Sequence, residues 1–280
     1  MRDALRSSVS RLLGVDVTTA AVRVVWRLQM HCDRPVFRTR LGFTSHPLSV
    51  IELRALHLWM MHVRLRDEPE PAPTAGSPTP ANASVIPSSF VDSLFQVFWE
   101  RQTQLVPDAP ASRMRDMQEY AYGAFHALDH SLLALLRAQA EAEQQQSGGA
   151  VAPGGGSKLK SGEFQPGLSI QDLEQGADVL LLSSLWKNTL LGDRTLHPLV
   201  VASLLRYVSA TLAKLYATPV DIVWKGNFEW IQPETSAADT PVDDAQKQAY
   251  FEMLDRQVNP VAAASNQAAE AAKAAADTSP

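Results

Sequence analysis

The sequence predicts an all-α fold: a compact multi-helix domain with a short extended or hairpin segment near 221–230. Three observations carry this reading. Apolar residues recur at three- and four-residue spacing through most of the chain, which lines one face of a helix. Only Asp221 to Trp230 alternates apolar and polar positions. Glycine and proline collect in two stretches, 67–87 and 146–167, that lie between the periodic segments. The implied organisation is a helical domain over 1–231 with flexible insertions at 67–87 and 146–167, followed at 232–280 by an acidic amphipathic helix and an Ala-rich tail.

In chain order, Leu12, Leu13, Val22, Val25, Trp26 and Leu28 are expected as buried positions of two short helices. Ser49 followed by Glu52 reads as a capping box opening a helix through about Arg66. Its apolar residues surround much of the cylinder, which predicts a central helix. Six prolines between Pro69 and Pro87 forbid a continuous helix there. From Ser88 to Leu105, Val91, Leu94, Phe95, Phe98 and Trp99 form an aromatic stripe. A long helix follows over about 111–145, with Met114, Met117, Ala121, Ala124, Leu128, Leu132 and Leu135 on one face and Gly123 expected to permit a close contact or a kink.

After the Gly-rich insertion, Gly176 to Leu191 is helical through Val179, Leu182, Leu185, Trp186, Thr189 and Leu190, with Gly192 as its stop. Thr195 to Ala217 tolerates Pro198 in its first turn and faces Val201, Leu204, Leu205, Val208, Leu212 and Leu215 inward. Asp243 to Val258 is amphipathic through Tyr250, Phe251, Leu254 and Val258. The alanine-rich remainder is helix-competent without a core of its own.

Composition narrows the function classes. At 280 residues, 45% hydrophobic and 20% charged, the chain can build a sizeable core. Leu196 to Leu215 is interrupted by His197, Pro198, Arg206 and Lys214, so no membrane span is expected. The lone Cys32 excludes a disulfide framework and a multi-thiolate zinc site within one chain. Charge is asymmetric: 11 basic and 4 acidic residues in 1–66, 11 and 18 in 67–230, 3 and 8 in 231–280. A basic N-terminal end can face phosphate or an acidic partner, although arginines on solvated helix faces give the same count. Arginine and serine with few acids also give the first 40 residues transit-peptide composition. Residues 1–15 are therefore either part of the fold or cleaved.

Catalytic constellations are sparse. His126, Asp129 and His130 occupy adjacent positions of one helix, a spacing open to a metal. No partner ligand set accompanies them, so we expect no metal and no cofactor. His57 and His62 point about 140° apart on a helix and cannot share an ion. No nucleophile elbow, phosphate loop, dinucleotide fingerprint or Cys/His pair is recognisable. Broad apolar helix faces without such chemistry argue for binding rather than catalysis.

An ordered series of short blocks gives a more specific indication. Leu56-His57-Leu58-Trp59 with Val63-Arg64-Leu65-Arg66 resembles the signature that opens the core of the ubiquinol-cytochrome c chaperone family. Phe98-Trp99-Glu100, Tyr122-Gly123, Leu128-Asp129, Leu185-Trp186-Lys187-Asn188, Leu205-Arg206-Tyr207-Val208 and Phe228-Glu229-Trp230 are similar to later family blocks in the same order. The resemblance spans about residues 10–231. Arg101 replaces an acid that the family carries after Trp99-Glu100, and both insertions and the tail depart from the pattern.

The resemblance implies a non-enzymatic assembly factor in the mitochondrial matrix, associated with the inner membrane. It would bind newly made cytochrome b with a small partner subunit, near the mitochondrial ribosome, during assembly of respiratory complex III. The alternative is a homologue retained as a permanent structural subunit of a large mitochondrial inner-membrane complex, motivated by the added segments. Family-motif or partner-binding candidates are His57, Trp59, Arg64, Trp99, Glu100, Asp129, Trp186, Tyr207 and Trp230. His57, Trp59 and Arg64 are expected first as a buried structural cluster and second as a client surface, and Glu100, if buried, as one half of an ion pair with arginine.

Overall fold

The computed structural model describes residues 17–66, 88–146, 178–233 and 244–258. Residues 1–15, the 67–87 insertion, the Gly-rich stretch after Gln146 and the Ala-rich tail lie outside the described residues. Among the described residues all regular structure is helical. In order these helices are α1 (Val17–Cys32), α2 (Pro35–Arg40), α3 (Pro47–Arg66), α4 (Ser88–Thr103), α5 (Ala111–Gln146), α6 (Asp178–Thr189), α7 (Pro198–Ala217), α8 (Val220–Trp224) and α9 (Asp244–Val258).

The chain divides into two compact units. The first comprises Met1–Thr39, Phe43–Phe125 and Tyr207–Pro233; the second comprises Arg40–Gly42, His126–Arg206 and Glu234–Pro280. In the first unit α1 packs on α4 and α3, and α8 packs on α1. As the apolar girdle of α3 predicts, nearly every residue from Ile51 to Leu65 is buried. Trp59, Phe90, Phe98, Leu28, Leu56 and Met60 are among the largest fully buried side chains of this unit.

In the second unit α9 packs on α6, with the Phe251 and Trp186 rings 5.1 Å apart. Tyr250, Phe251 and Leu254 are all buried, so α9 has an apolar face that shares a core. Lys187 at 3.2 Å and Arg194 both meet the Asp255 carboxylate. The Ser131 and Ser184 hydroxyls, 2.6 Å apart, join the second half of α5 to α6. The end of α6 is sealed as Gly192 foretells: the Gly192 N–H donates to the Trp186 carbonyl at 3.0 Å, with φ +65° at the glycine.

Several expectations are corrected. α3 begins two residues before Ser49, because Pro47 is preset for a first helical turn. Ser49 Oγ accepts from the Thr44 N–H at 2.9 Å, and His46 Nδ1 accepts from the Leu48 N–H at 3.3 Å. The hairpin near 221–230 is absent: Val220–Trp224 is a helical turn started by Pro219, whose φ is −53°. After it Gly226, at φ +72°, reverses the chain so close to α1 that a Cβ would sit 3.3 Å from the Val24 nitrogen. Residues 227–233 then run without a partner strand among the described residues, so their alternation orders side chains, not a ladder. Phe228 is buried and Glu229 is exposed.

The N-terminal helices differ too. α1 is one helix of 16 residues whose buried face is Ala20, Ala21, Val24, Val25, Leu28, His31 and Cys32. A helix cannot also turn Val22 and Trp26 inward on that phase, and both are exposed. Leu12 and Leu13 lie outside the described residues. Gly123 makes no close helix contact: α5 runs on through it and a Cβ there would meet nothing within 4 Å. Gly123→Ala should therefore raise stability by about 0.5–1 kcal/mol, measured by urea unfolding.

α7 is long and apolar enough to cross a membrane by length and composition, but 61% of that window is buried inside the protein. It reads as a core helix.

Candidate functional site

The first unit gathers its polar core around one hydroxyl. Tyr207, on α7, places its Oη 2.6 Å from His57 Nε2 on α3 and 2.9 Å from His31 Nε2 on α1. All three side chains are buried. Phe37 of α2 meets the His31, His57 and Tyr207 rings edge-on at 5.0 to 5.5 Å. Trp230, from the extended segment, stacks on His31 at 5.5 Å and meets His57 edge-on at 4.8 Å.

Proton positions follow from the partners. His57 Nδ1 lies 2.8 Å from the Leu53 carbonyl, one turn earlier on α3, and a carbonyl can only accept. Nδ1 therefore carries the hydrogen and Nε2 is the acceptor. Tyr207 must donate to His57, so its oxygen accepts from His31 Nε2–H. The result is a one-way chain, His31 to Tyr207 to His57 to the Leu53 carbonyl, in which both imidazoles are neutral.

Electrostatics agree with that assignment. Burial pushes His57 down to about 4 against the Leu53 bond, which pulls the other way. Burial first, then His57 and Arg34, pushes His31 down to about 3. Burial likewise raises Tyr207, and it raises the Cys32 thiol well above its ordinary range. Cys32 Sγ is 3.4 Å from His57 Nδ1, but a buried neutral thiol beside an imidazole that already donates elsewhere is not an activated nucleophile. The node can hold helices together; it offers no exposed acid, base or nucleophile to a substrate.

Two further polar ties involve α3. Arg54 is buried, donating from Nη2 to Asp33 Oδ1 at 2.9 Å and from Nη1 to Gln102 Oε1 at 3.3 Å. Gln102 in turn donates to the Phe98 carbonyl at 3.1 Å within α4, so Arg54 ties α4 to Asp33, just past the end of α1. Arg64, two turns beyond His57, donates from Nε to the Leu215 carbonyl at 3.0 Å and from Nη2 to the Thr218 carbonyl at 3.4 Å. Its guanidinium also sits 5.5 Å from the Tyr216 ring centre. A cation on the last carbonyls of α7 satisfies acceptors that the helix leaves open and complements the negative end of its dipole. Arg64→Met keeps the apolar stem and removes the cap, and should cost about 1–3 kcal/mol in urea unfolding.

The sequence candidates fall into separate places. His57, Tyr207 and Trp230 meet at the node, and Trp59 and Arg64 are buried on the same helix as His57. Arg64 bonds to the end of α7 rather than to His57. Trp99 is buried in the first unit beside Phe98, at a ring distance of 5.1 Å. Glu100, conditionally expected beside an arginine, is exposed and accepts from Gln96 Nε2 at 2.9 Å. That bond joins residues one turn apart on the solvent side of α4. Asp129 and Trp186 belong to the second unit, where the Trp186 Nε1–H donates to the Asp193 carbonyl at 3.2 Å.

His126 and His130 are exposed, and among the described residues no three His, Cys, Asp or Glu side chains are grouped to hold a metal ion. Sequence reasoning missed His31, Phe37, Arg54 and Gln102. For His31 and Arg54 a signal existed: each is a polar residue in phase with the buried face of its helix.

Comparison with known proteins is confined to one segment. No curated protein matches the chain, and no solved structure does. Residues 42–142, which include α3, α4 and most of α5, match the model of the family described as Ubiquinol-cytochrome C chaperone.

Proposed function

We propose that this chain is a non-enzymatic assembly factor that binds newly made cytochrome b and supports assembly of respiratory complex III. In this reading it works in the mitochondrial matrix at the inner membrane, together with a small partner subunit and near the mitochondrial ribosome. The family match over residues 42–142 carries the proposal. The node supports it in one respect: His57, inside the matched segment, is bonded to Tyr207, whose sequence block resembles the same family far beyond the match. The sealed, neutral character of that node suits a scaffold whose work is done by its surface.

The test is pulse-chase recovery. Mitochondrial translation products are labelled briefly, and an affinity-tagged full chain is purified at intervals. Labelled cytochrome b should be captured early and lost during the chase as complex III matures. Capture of no mitochondrial translation product, or retention of cytochrome b throughout the chase, would overturn the proposal.

A further inference from the structure

We propose that the outward face of α1 is the docking surface for an amphipathic helix of a protein partner, one that carries acidic side chains along one edge. Val22, Trp26 and Met30 are 37%, 55% and 53% exposed, on the side of α1 away from Val24, Val25, Leu28 and Cys32, which are buried. Their four-residue spacing makes them a continuous ridge, about 12 Å long at the helical rise of 1.5 Å per residue. Such an i, i+4 ridge seats in the groove of a second helix. Scattered exposed apolar residues need no explanation, whereas three large ones in register mark an interaction surface.

The charges beside the ridge specify the occupant. Arg23 and Arg27 follow along one edge, and in the chain Arg34 and Arg38 come after the end of α1. The other edge carries Thr18 and Gln29, which are uncharged. Arg23 is held in place by its bond to the Lys225 carbonyl at 3.3 Å. Complementarity therefore asks for apolar residues four apart on the partner, with Glu or Asp on the flank that meets the arginines.

A lipid surface fits less well. A helix lying in an anionic interface gains from cations at both boundaries of its apolar face. Here one boundary lacks them, since Thr18 and Gln29 are uncharged. This inference makes no use of cytochrome b and stands or falls apart from the proposed function.

The experiment places a photoreactive phenylalanine analogue at Met30 of the full chain in cells that normally make it. After irradiation, crosslinked peptides are identified by mass spectrometry, and Val22 serves as a second probe position if the Met30 variant folds poorly. The expected product joins Met30 to a helical segment of another protein with acidic residues on one edge. Arg27→Glu should cut the yield about tenfold, while Arg27→Lys retains most of it. Crosslinks only to lipid, only to this chain or a second copy, only to a segment without that acidic edge, or a yield indifferent to Arg27→Glu, would each overturn the proposal. So would the absence of crosslinks from both positions.

Discussion

Tyr207→Phe should cost about 2–5 kcal/mol of unfolding free energy, because it strands two buried partners at once. The His31 Nε2–H loses its acceptor and His57 Nε2 loses its donor, while the ring and its Phe37 contact are kept. Neither imidazole can recover by charging, since burial already holds both below their ordinary range. Tyr250→Phe supplies the contrast. Tyr250 is as deeply buried, but among the described residues its hydroxyl has no hydrogen-bond partner, so its removal should be neutral or slightly stabilising. Urea unfolding of both variants at pH 7 checks the pair. Equal losses from the two would mean that the hydroxyl of Tyr207 is not the tie that joins α1, α3 and α7.

Acidification should weaken the fold steeply between about pH 6.5 and pH 4. His57 titrates near 4 and His31 near 3 in the folded chain, against 6.5 as the ordinary value. In that window the unfolded chain binds more protons than the native one, so stability falls as pH falls. His57 alone accounts for a loss on the order of 3 kcal/mol, and the two histidines share one hydroxyl, so their terms are not additive.

Glu52 acts with the opposite sign. Burial raises its carboxyl to about 8, so the native chain keeps that proton and loses stability as pH rises from 4.5 toward 8. Glu52→Gln removes the opposing slope. Unfolding free energies of this variant across pH 4 to 7 should rise monotonically with pH. A flat profile would contradict neutral, buried histidines.

Much of the fold was legible because its helices are amphipathic in their own right. Val201, Leu204, Leu205, Val208, Leu212 and Leu215 of α7 are all buried in the phase their spacing predicts, as are Val179, Leu182, Leu185 and Trp186 of α6. Legibility failed where composition and geometry diverge. Val22 and Trp26 carry the residue types of a core, yet their helix turns them outward, and no rule of composition separates an interface ridge from a buried one. The alternation through Ile222, Trp224, Phe228 and Trp230 suits an extended segment or a hairpin, but Pro219 favours a helical turn, and among the described residues there is no strand to pair.

The candidate site was half legible. His57, Tyr207 and Trp230 stand in family-like blocks, but 150 residues separate His57 from Tyr207, and only the packing of α3 against α7 brings their polar atoms to 2.6 Å. His31 lies in no such block, and its partnership depends on the rotation of α1. Arg64 was legible as a motif residue, whereas its role as a cap on the Leu215 and Thr218 carbonyls required knowing where α7 ends.

The claim of an assembly role is tested most directly by native size separation of mitochondrial extract with quantitative mass spectrometry of everything that migrates with this chain. The account predicts substoichiometric migration with cytochrome b and a small partner, in particles smaller than mature complex III. Migration in fixed stoichiometry with a mature respiratory complex would contradict it and make the chain a structural subunit.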